Sequence, residues 1–405
     1  MSNSALQRRV VRTLVSTQVL NGLGYAGTIA AGSLLVASIT GSETLAGFAQ
    51  TSAVLGAAAL ALPFARLTVK GGRRLALSVG YFIGAIGSIC AILGGTHRNI
   101  FLMLLGTFLL GAAAAAGYQA RFAAIDLASN ETRARQLSFV VWGLTIGGVA
   151  GPNLMEPSGN LAEYFGLPRL VGPYLIAATT LLFAATVIQI FLRPDPYLTA
   201  AKQAHVVHHK GSTKVALSHI RSNPPALFAI ISIAVGQVAM VTVMVMAPIH
   251  MAHVDVSLRV IGLVISVHIL GMYAFSPIVG ALSDRLGRVR VIHIGLSILL
   301  AATIVAGTSA ANNTFQLAIG LFLLGLGWSC TLIAGSALLS ESVSVELRPT
   351  SQGASDVVMN LAAAGGGALA GVIIGILSYG WLCLFAAVPV LILGAFSKKM
   401  VNVGK

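Results

Sequence analysis

The feature that most limits how this chain can fold is a succession of twelve apolar runs. Each is roughly 16 to 29 residues long, and most can cross about 30 Å of hydrocarbon as a helix. They cover residues 11–39, 45–64, 75–93, 100–127, 137–155, 170–191, 226–249, 260–282, 289–306, 314–339, 351–377 and 381–396. A backbone inside lipid must satisfy its own hydrogen bonds, so runs of this length fold as helices. Composition agrees: 56% of the residues are hydrophobic and 9% are charged, against about 25% charged in an ordinary soluble domain. The 45 glycines lie largely inside the apolar runs, where small residues let helices approach closely. The expectation is an all-α integral membrane protein with twelve transmembrane helices.

The charges are distributed as loops demand. In a soluble chain a formal net charge of +14 would suggest nucleic acid; here the basic residues sit in short connections, where anionic lipid headgroups and topology account for them. The longest connection, between the sixth and seventh runs, carries Arg193, Lys202, Lys210, Lys214 and Arg221 with His205, His208, His209 and His219. It divides the chain into an N-terminal bundle (1–192), a linker (193–225) and a C-terminal bundle (226–405). With the N-terminus inside, 21 lysines and arginines fall in cytoplasmic segments, and Arg98, Arg169 and Arg259 on the other side. That excess places both termini and the linker in the cytoplasm; the expected location is the cell's inner (plasma) membrane. Residues 1–10 are too short and polar for a cleaved signal peptide. Cys90, Cys330 and Cys383 fall within runs and lack metal spacing; the histidines of the linker suit a solvated segment better than a metal site. No metal or cofactor is implied.

The most specific motif is Gly280-Ala281-Leu282-Ser283-Asp284-Arg285-Leu286-Gly287-Arg288-Val289-Arg290, packed between two apolar runs. Such charges cannot lie in hydrocarbon and must form a tight loop at a membrane surface. The pattern resembles the cytoplasmic loop of the major facilitator superfamily. A second feature covers the rest of the chain. Asp126 and Arg133 bracket the connection after the fourth run, and Glu341 and Arg348 that after the tenth, at one offset of 215 positions. The same offset lays Gly287-Arg288 over Gly72-Arg73. One register for both loops indicates duplication of a six-helix unit, as in that superfamily. The first-half loop departs from the pattern: Val69 stands where Asp284 does, and Ala65 where Gly280 does.

The resemblance implies a gate in which Gly280, Asp284, Arg285, Gly287, Arg288, Glu341, Arg348, Arg73, Asp126 and Arg133, with Arg290 nearby, pair charges with helix ends; the alternative is that these charges only fix topology. Asp356 lies about a turn and a half into the eleventh helix, where an ionisable group needs a partner or a role. Arg66, Lys70 or Arg73 is the expected partner, so that Asp356 supplies the carboxylate that Val69 lacks. Asp356 and His268 are the proton-coupling candidates, His268 being more often a structural hydrogen-bonding residue in such a place. Arg121, near the inner end of the fourth helix, either snorkels to the interface or, on a cavity helix as the resemblance implies, contacts an anionic substrate group or a coupling carboxylate. By resemblance, the first, fourth, seventh and tenth helices line a central cavity, whose candidates are Gln18, Asn21, Tyr25, Tyr118, Gln119, Arg121, Gln237, Met240 and Trp328, with Ser329 beside them. Sparse polar groups among apolar ones suit an amphipathic or hydrophobic substrate. In the fifth helix Gly147, Gly151 and Pro152 are similar to part of the antiporter motif of the superfamily's drug–proton exporters; Ser138, Met155 and Glu156 replace glycines of its longer form, and ordinary small-residue packing explains the rest equally well.

No G-x-x-x-x-G-K-[ST] phosphate loop is present, and no paired acids or nucleophile–base set stands at one depth. The sequence therefore points away from an enzyme and toward a monomeric secondary active transporter in contact with membrane lipids. Proton-coupled efflux of small amphipathic or hydrophobic molecules is the first reading, resembling bacterial drug–proton antiporters. Metabolite transport, of an anion in particular, and a non-transporting receptor are the alternatives.

Overall fold

The structure is a computed structural model that describes residues 3–42, 45, 47–204, 213–252, 258–310 and 312–402. His205, His208 and His209 lie outside the described residues. Among the described residues fifteen α-helices follow one another: α1 (Asn3–Thr40), α2 (Phe48–Thr96), α3 (Ile100–Ala123), α4 (Arg133–Asn153), α5 (Met155–Tyr164), α6 (Gly172–Phe191), α7 (Pro196–Gln203), α8 (Thr213–Ser222), α9 (Pro224–Ala252), α10 (Leu258–Tyr273), α11 (Ser276–Leu286), α12 (Arg288–Gly307), α13 (Thr314–Ser342), α14 (Arg348–Ile376) and α15 (Tyr379–Asn402), with a short 3-10 turn at Arg169–Val171. There is no strand among the described residues.

By length and composition, nine described helices can each cross a membrane, or ten when α4 and α5, bent by 59°, count as one span. Helix α2 holds two of the expected runs. Its helical dihedrals break at Gly72 (φ 83, ψ 175), a left-handed conformation that glycine adopts without a Cβ penalty. Dividing α2 there, and adding the shorter apolar Tyr379–Ala395, brings the number to the twelve that the apolar runs predict. The connection expected at 65–74 is thus mostly helix, with the break confined to one glycine.

The chain divides into two compact units. The first comprises Met1–Ala128, Gly143–Gly211 and Val345–Asn360; the second comprises Ser129–Trp142, Ser212–Ser344 and Leu361–Lys405. Helix α4 therefore starts in the second unit and continues in the first, while α14 does the reverse.

In the first unit the core is packed by small residues. The second segment of α2 runs antiparallel to α3: a methyl at Gly84 would meet the Ala113 methyl at 2.7 Å, and one at Gly94 would meet the Met103 nitrogen at 2.5 Å. Asn99 caps α3 by accepting from the Leu102 amide at 3.1 Å. In the second unit α12 and α13 approach in the same way, Gly320 against Ala306 and Gly327 against Leu299. Asn313 caps α13 through the Gln316 amide at 3.1 Å. Large apolar side chains such as Phe101, Phe183, Leu263 and Ile304 point outward in both units. A surface this apolar suits lipid and not water.

Candidate functional site

The chemistry-bearing residues gather in two charged clusters, one in each unit, related by the 215-residue register.

In the second unit, α11 ends at Leu286 and Gly287 turns the chain with φ 93, which sets Asp284 and Arg288 side by side. Arg288 donates to Asp284 at 2.6 Å and to Glu341, near the end of α13, at 2.8 and 3.1 Å. It also donates to the carbonyls of Ser283 (2.7 Å) and Asn130 (2.5 Å). The Asp284 carboxylate accepts from the backbone amides of Ala134 (3.0 Å) and Arg135 (2.9 Å), in the first turn of α4. Those amides have no intrahelical acceptor, and the helix dipole favours an anion there. Arg133 stands 3.7 Å from Glu341. Beside the cluster, in the connection into α4, the Ser129 hydroxyl holds the exposed Glu131 carboxyl below its ordinary range.

In the first unit Arg73 follows Gly72 as Arg288 follows Gly287. It donates to Asp126, just past α3, at 2.8 and 3.2 Å. Two further donations reach amide oxygens, Gln119 at 3.0 Å and Gln352 at 2.6 Å. Gln119 in turn donates to Asp356 at 3.1 Å, and Arg121 donates to the other Asp356 oxygen at 2.6 Å. Arg121 also donates to the Tyr118 carbonyl at 2.9 Å and lies over the Phe122 and Tyr118 rings, 4.4 and 5.6 Å from their centroids. Arg73, Gln119, Gln352 and Asp356 are each 0% exposed and Arg121 is 2% exposed.

The ionic partner of Asp356 is thus Arg121, and not Arg66, Lys70 or Arg73 as the sequence suggested. Arg73 is spent on Asp126 and the two glutamines, whereas Arg121 faces α14. Nor does Arg121 snorkel: its guanidinium is buried and paired. Sequence reasoning missed Gln352 altogether. It also missed Asp195, which caps α7 through the Leu198 amide (3.1 Å) and accepts from the Arg74 amide (2.7 Å). An Asp-Pro pair opening a short helix was the available signal.

Beyond the register-matched pairs Arg73–Asp126 and Arg288–Glu341, the same offset explains the departure at Ala65. A methyl at Gly280 would meet the Ser138 side chain; a methyl at Gly353 would meet the Ala65 methyl at 2.6 Å. Ser138 and Gly353 are 215 apart, as are Ala65 and Gly280. The glycine that lets two helices touch has moved from one side of the contact to the other.

The remaining candidates are distributed as follows. In the first unit Gln18 donates to the Gly117 carbonyl at 3.1 Å, and Asn21 donates to Gln18 at 3.4 Å. Tyr25 and Tyr118 flank the cluster of Ala57, Phe64, Ala112, Ala114 and Ala115. Gly147 lies against Gly22, and Gly151 against Ala26 and Gly27, so this part of α4 packs on α1. Pro152 belongs to the same helix. In the second unit Trp328 donates to Gln237 at 2.7 Å and meets Tyr273 edge-on; Met240 is buried. His268 is fully buried, with Nδ1 2.7 Å from the Leu321 carbonyl. Arg348 opens α14, and Arg285 and Arg290 are exposed. Among the described residues no group of three His, Cys, Asp or Glu could hold a metal ion.

The Major Facilitator Superfamily profile matches residues 14–255 and 231–401. The "Uncharacterized MFS-type transporter YdeG" of Bacillus subtilis (strain 168) is 35% identical over 392 residues, 96% of this chain and 91% of that protein. The "Riboflavin transporter RfnT" of Brucella anthropi is 27% identical over 359 residues, 89% of this chain and 87% of that one. Among solved structures, the proton:xylose symporter XylE superposes with a TM-score of 0.75 at 14% identity, covering 98% of this chain and 96% of its own. The E. coli fucose:proton symporter FucP gives 0.73 at 16% identity, covering 96% and 98%. At these identities the structural likeness concerns the fold.

Proposed function

The chain belongs to the major facilitator superfamily of transporters, and from that premise we propose that it is a proton-coupled secondary transporter. It works by alternating access and exports small amphipathic or hydrophobic organic molecules. It acts as a monomer in the plasma membrane, with both termini cytoplasmic. Its six-helix bundles are 1–192 and 226–405, joined by a cytoplasmic linker at 193–225.

The observation that carries this reading is the pair of buried charge clusters, each holding the start of a helix contributed by the other half of the sequence. Charges taken out of water and bonded to one another are an expensive way to stabilise a fold. They are well suited to fastening one of two states. The gating set named from the sequence supplies most of these groups. The glycine contacts of α4 on α1 and the sparse polar groups Gln18, Asn21, Gln237 and Trp328 support export of an amphipathic substrate.

A second reading is metabolite transport, and the relative of 27% identity makes riboflavin the first compound to try. Arg121 favours neither an anion nor its exclusion, since its guanidinium is held by Asp356 and two rings.

The test is flux into proteoliposomes under an imposed pH gradient, with ethidium and riboflavin as the two probes. Export of the proposed kind drives ethidium uphill against the proton gradient, and cells lacking the protein accumulate more ethidium until it is re-expressed. Gradient-driven movement of riboflavin without ethidium selects the second reading. Binding of either compound without flux leaves a receptor.

A further inference from the structure

Both clusters hold two positive and two negative side chains, yet they come apart differently. In the second unit the departing piece is the first turn of α4 with the residues just before it, held by its backbone amides on Asp284, by the Asn130 carbonyl on Arg288 and by Arg133 beside Glu341. When that turn leaves, Asp284 keeps Arg288, and Arg288 keeps Glu341, which is 22% exposed and still reaches solvent. In the first unit the departing piece is the start of α14, and it carries Asp356 away with it. Asp356 has no solvent contact; its carboxylate partners are Arg121 and Gln119, both on α3. Separation leaves a bare carboxylate at membrane depth, which is costly. An arginine cannot give up its proton, so charge can be removed only at the aspartate. Arg121 keeps the Tyr118 carbonyl and the faces of Phe122 and Tyr118.

We propose that Asp356 is the proton-binding group of the transport cycle, and that its protonation releases the first half of α14 from α3. This deepens, and rests on, the proton-coupled reading above. In the balanced step one proton binds a carboxylate oxygen. The Arg121–Asp356 ion pair breaks, and the neutral carboxyl moves with α14. The proton leaves when the pair re-forms. The groups around Asp356 are consistent with one titrating site. Arg121, Gln119 and Tyr118 face it from α3 and Arg73 from α2, while Asn360 on its own helix donates to its backbone carbonyl at 2.7 Å. Asp126, the nearest other acid of the cluster, is bound by two nitrogens of Arg73.

Amide hydrogen exchange on the purified protein tests this without a substrate. At about pH 8, Asp356→Asn exchanges residues 348–360 about tenfold faster than the parent protein, while residues 133–142 are unchanged. The gap narrows as the pH is lowered, because the parent protein then takes up a proton at the same carboxylate. Asp356→Glu behaves as the parent does. Equal exchange at about pH 8, or a gap that stays the same size as the pH is lowered, overturns the proposal; the latter would mean that the aspartate only holds structure. The flux assay separates the two claims. If the parent protein moves no ethidium or riboflavin against a pH gradient but the exchange gap behaves as described, the coupled-transport reading fails and the proton-sensitive contact stands. If gradient-driven flux occurs and the exchange gap is absent, Asp356 is not the coupling group.

Discussion

The two charge clusters are one device built with opposite polarity. In the second unit a loop carboxylate, Asp284, reaches out to the amides that open α4. In the first unit the corresponding loop position is Val69, and the incoming helix brings its own side chains: Gln352 to Arg73, and Asp356 to Arg121 and Gln119. The second unit has Leu137, Val141, Ser336 and Ala334 at the places of Gln352, Asp356, Arg121 and Gln119. Losing a carboxylate at one position has therefore not removed the fastening; it has moved the anion from the loop to the helix being fastened. The consequence is burial. An acid at the helix start can stay near water, whereas one inside the helix cannot.

The largest expected effect comes from stranding the buried anion. Arg121→Ala leaves Asp356 without its cation and lowers stability by about 3 kcal/mol. Asp284→Ala, in the second unit, costs about 1 kcal/mol, because Arg288 keeps Glu341. Thermal unfolding in detergent compares them, and equal losses break the contrast. The glycines that turn the chain sharpen it. Gly72→Ala and Gly287→Ala both force an L side chain to a positive φ, at a cost of about 1 kcal/mol. Gly72→Ala also pushes Asp195 from the Arg74 amide and loses about 1 kcal/mol more, while nothing lies within 4 Å of a methyl at Gly287. The third pair tests the exchanged glycine. Gly353→Ala and Gly280→Ala each cost about 1 kcal/mol by overpacking. Ala65→Gly rescues the first; Ser138→Gly rescues the second only in part, because the Ala134 carbonyl oxygen stays 2.8 Å from the new methyl; the crossed combinations rescue nothing. The smallest effect is a control: Arg169→Ala, whose half-exposed guanidinium lies 3.7 and 3.9 Å from Glu156 and Glu163, changes stability by less than about 0.5 kcal/mol.

Much of this was legible in the residues. The apolar runs carried the helices because a backbone in lipid has few alternatives. The 215-residue register carried Arg73 over Arg288 and Asp126 over Glu341, because a duplicated unit repeats its spacing. The Arg121–Asp356 pair escaped that reasoning because neither residue has a charged counterpart in the other half. A simpler signal was present: an arginine and an aspartate, each isolated within a membrane-length run, are natural partners for one another. Gly353 was overlooked for a related reason. Its significance lies in Ala65 across the contact, and a one-dimensional pattern shows the substitution without showing the neighbour that compensates for it.

A double-mutant cycle on each cluster tests the opposed polarity most directly, by measuring the coupling of Arg121 with Asp356 and of Asp284 with Arg288 from the stabilities of single and double alanine variants. The account predicts a coupling of about 3 kcal/mol for the pair on α3 and α14 and about 1 kcal/mol for the pair at Gly287, where Arg288 still has Glu341 and Asp284 still has two backbone amides. Equal couplings, or a larger one between Asp284 and Arg288, would contradict it.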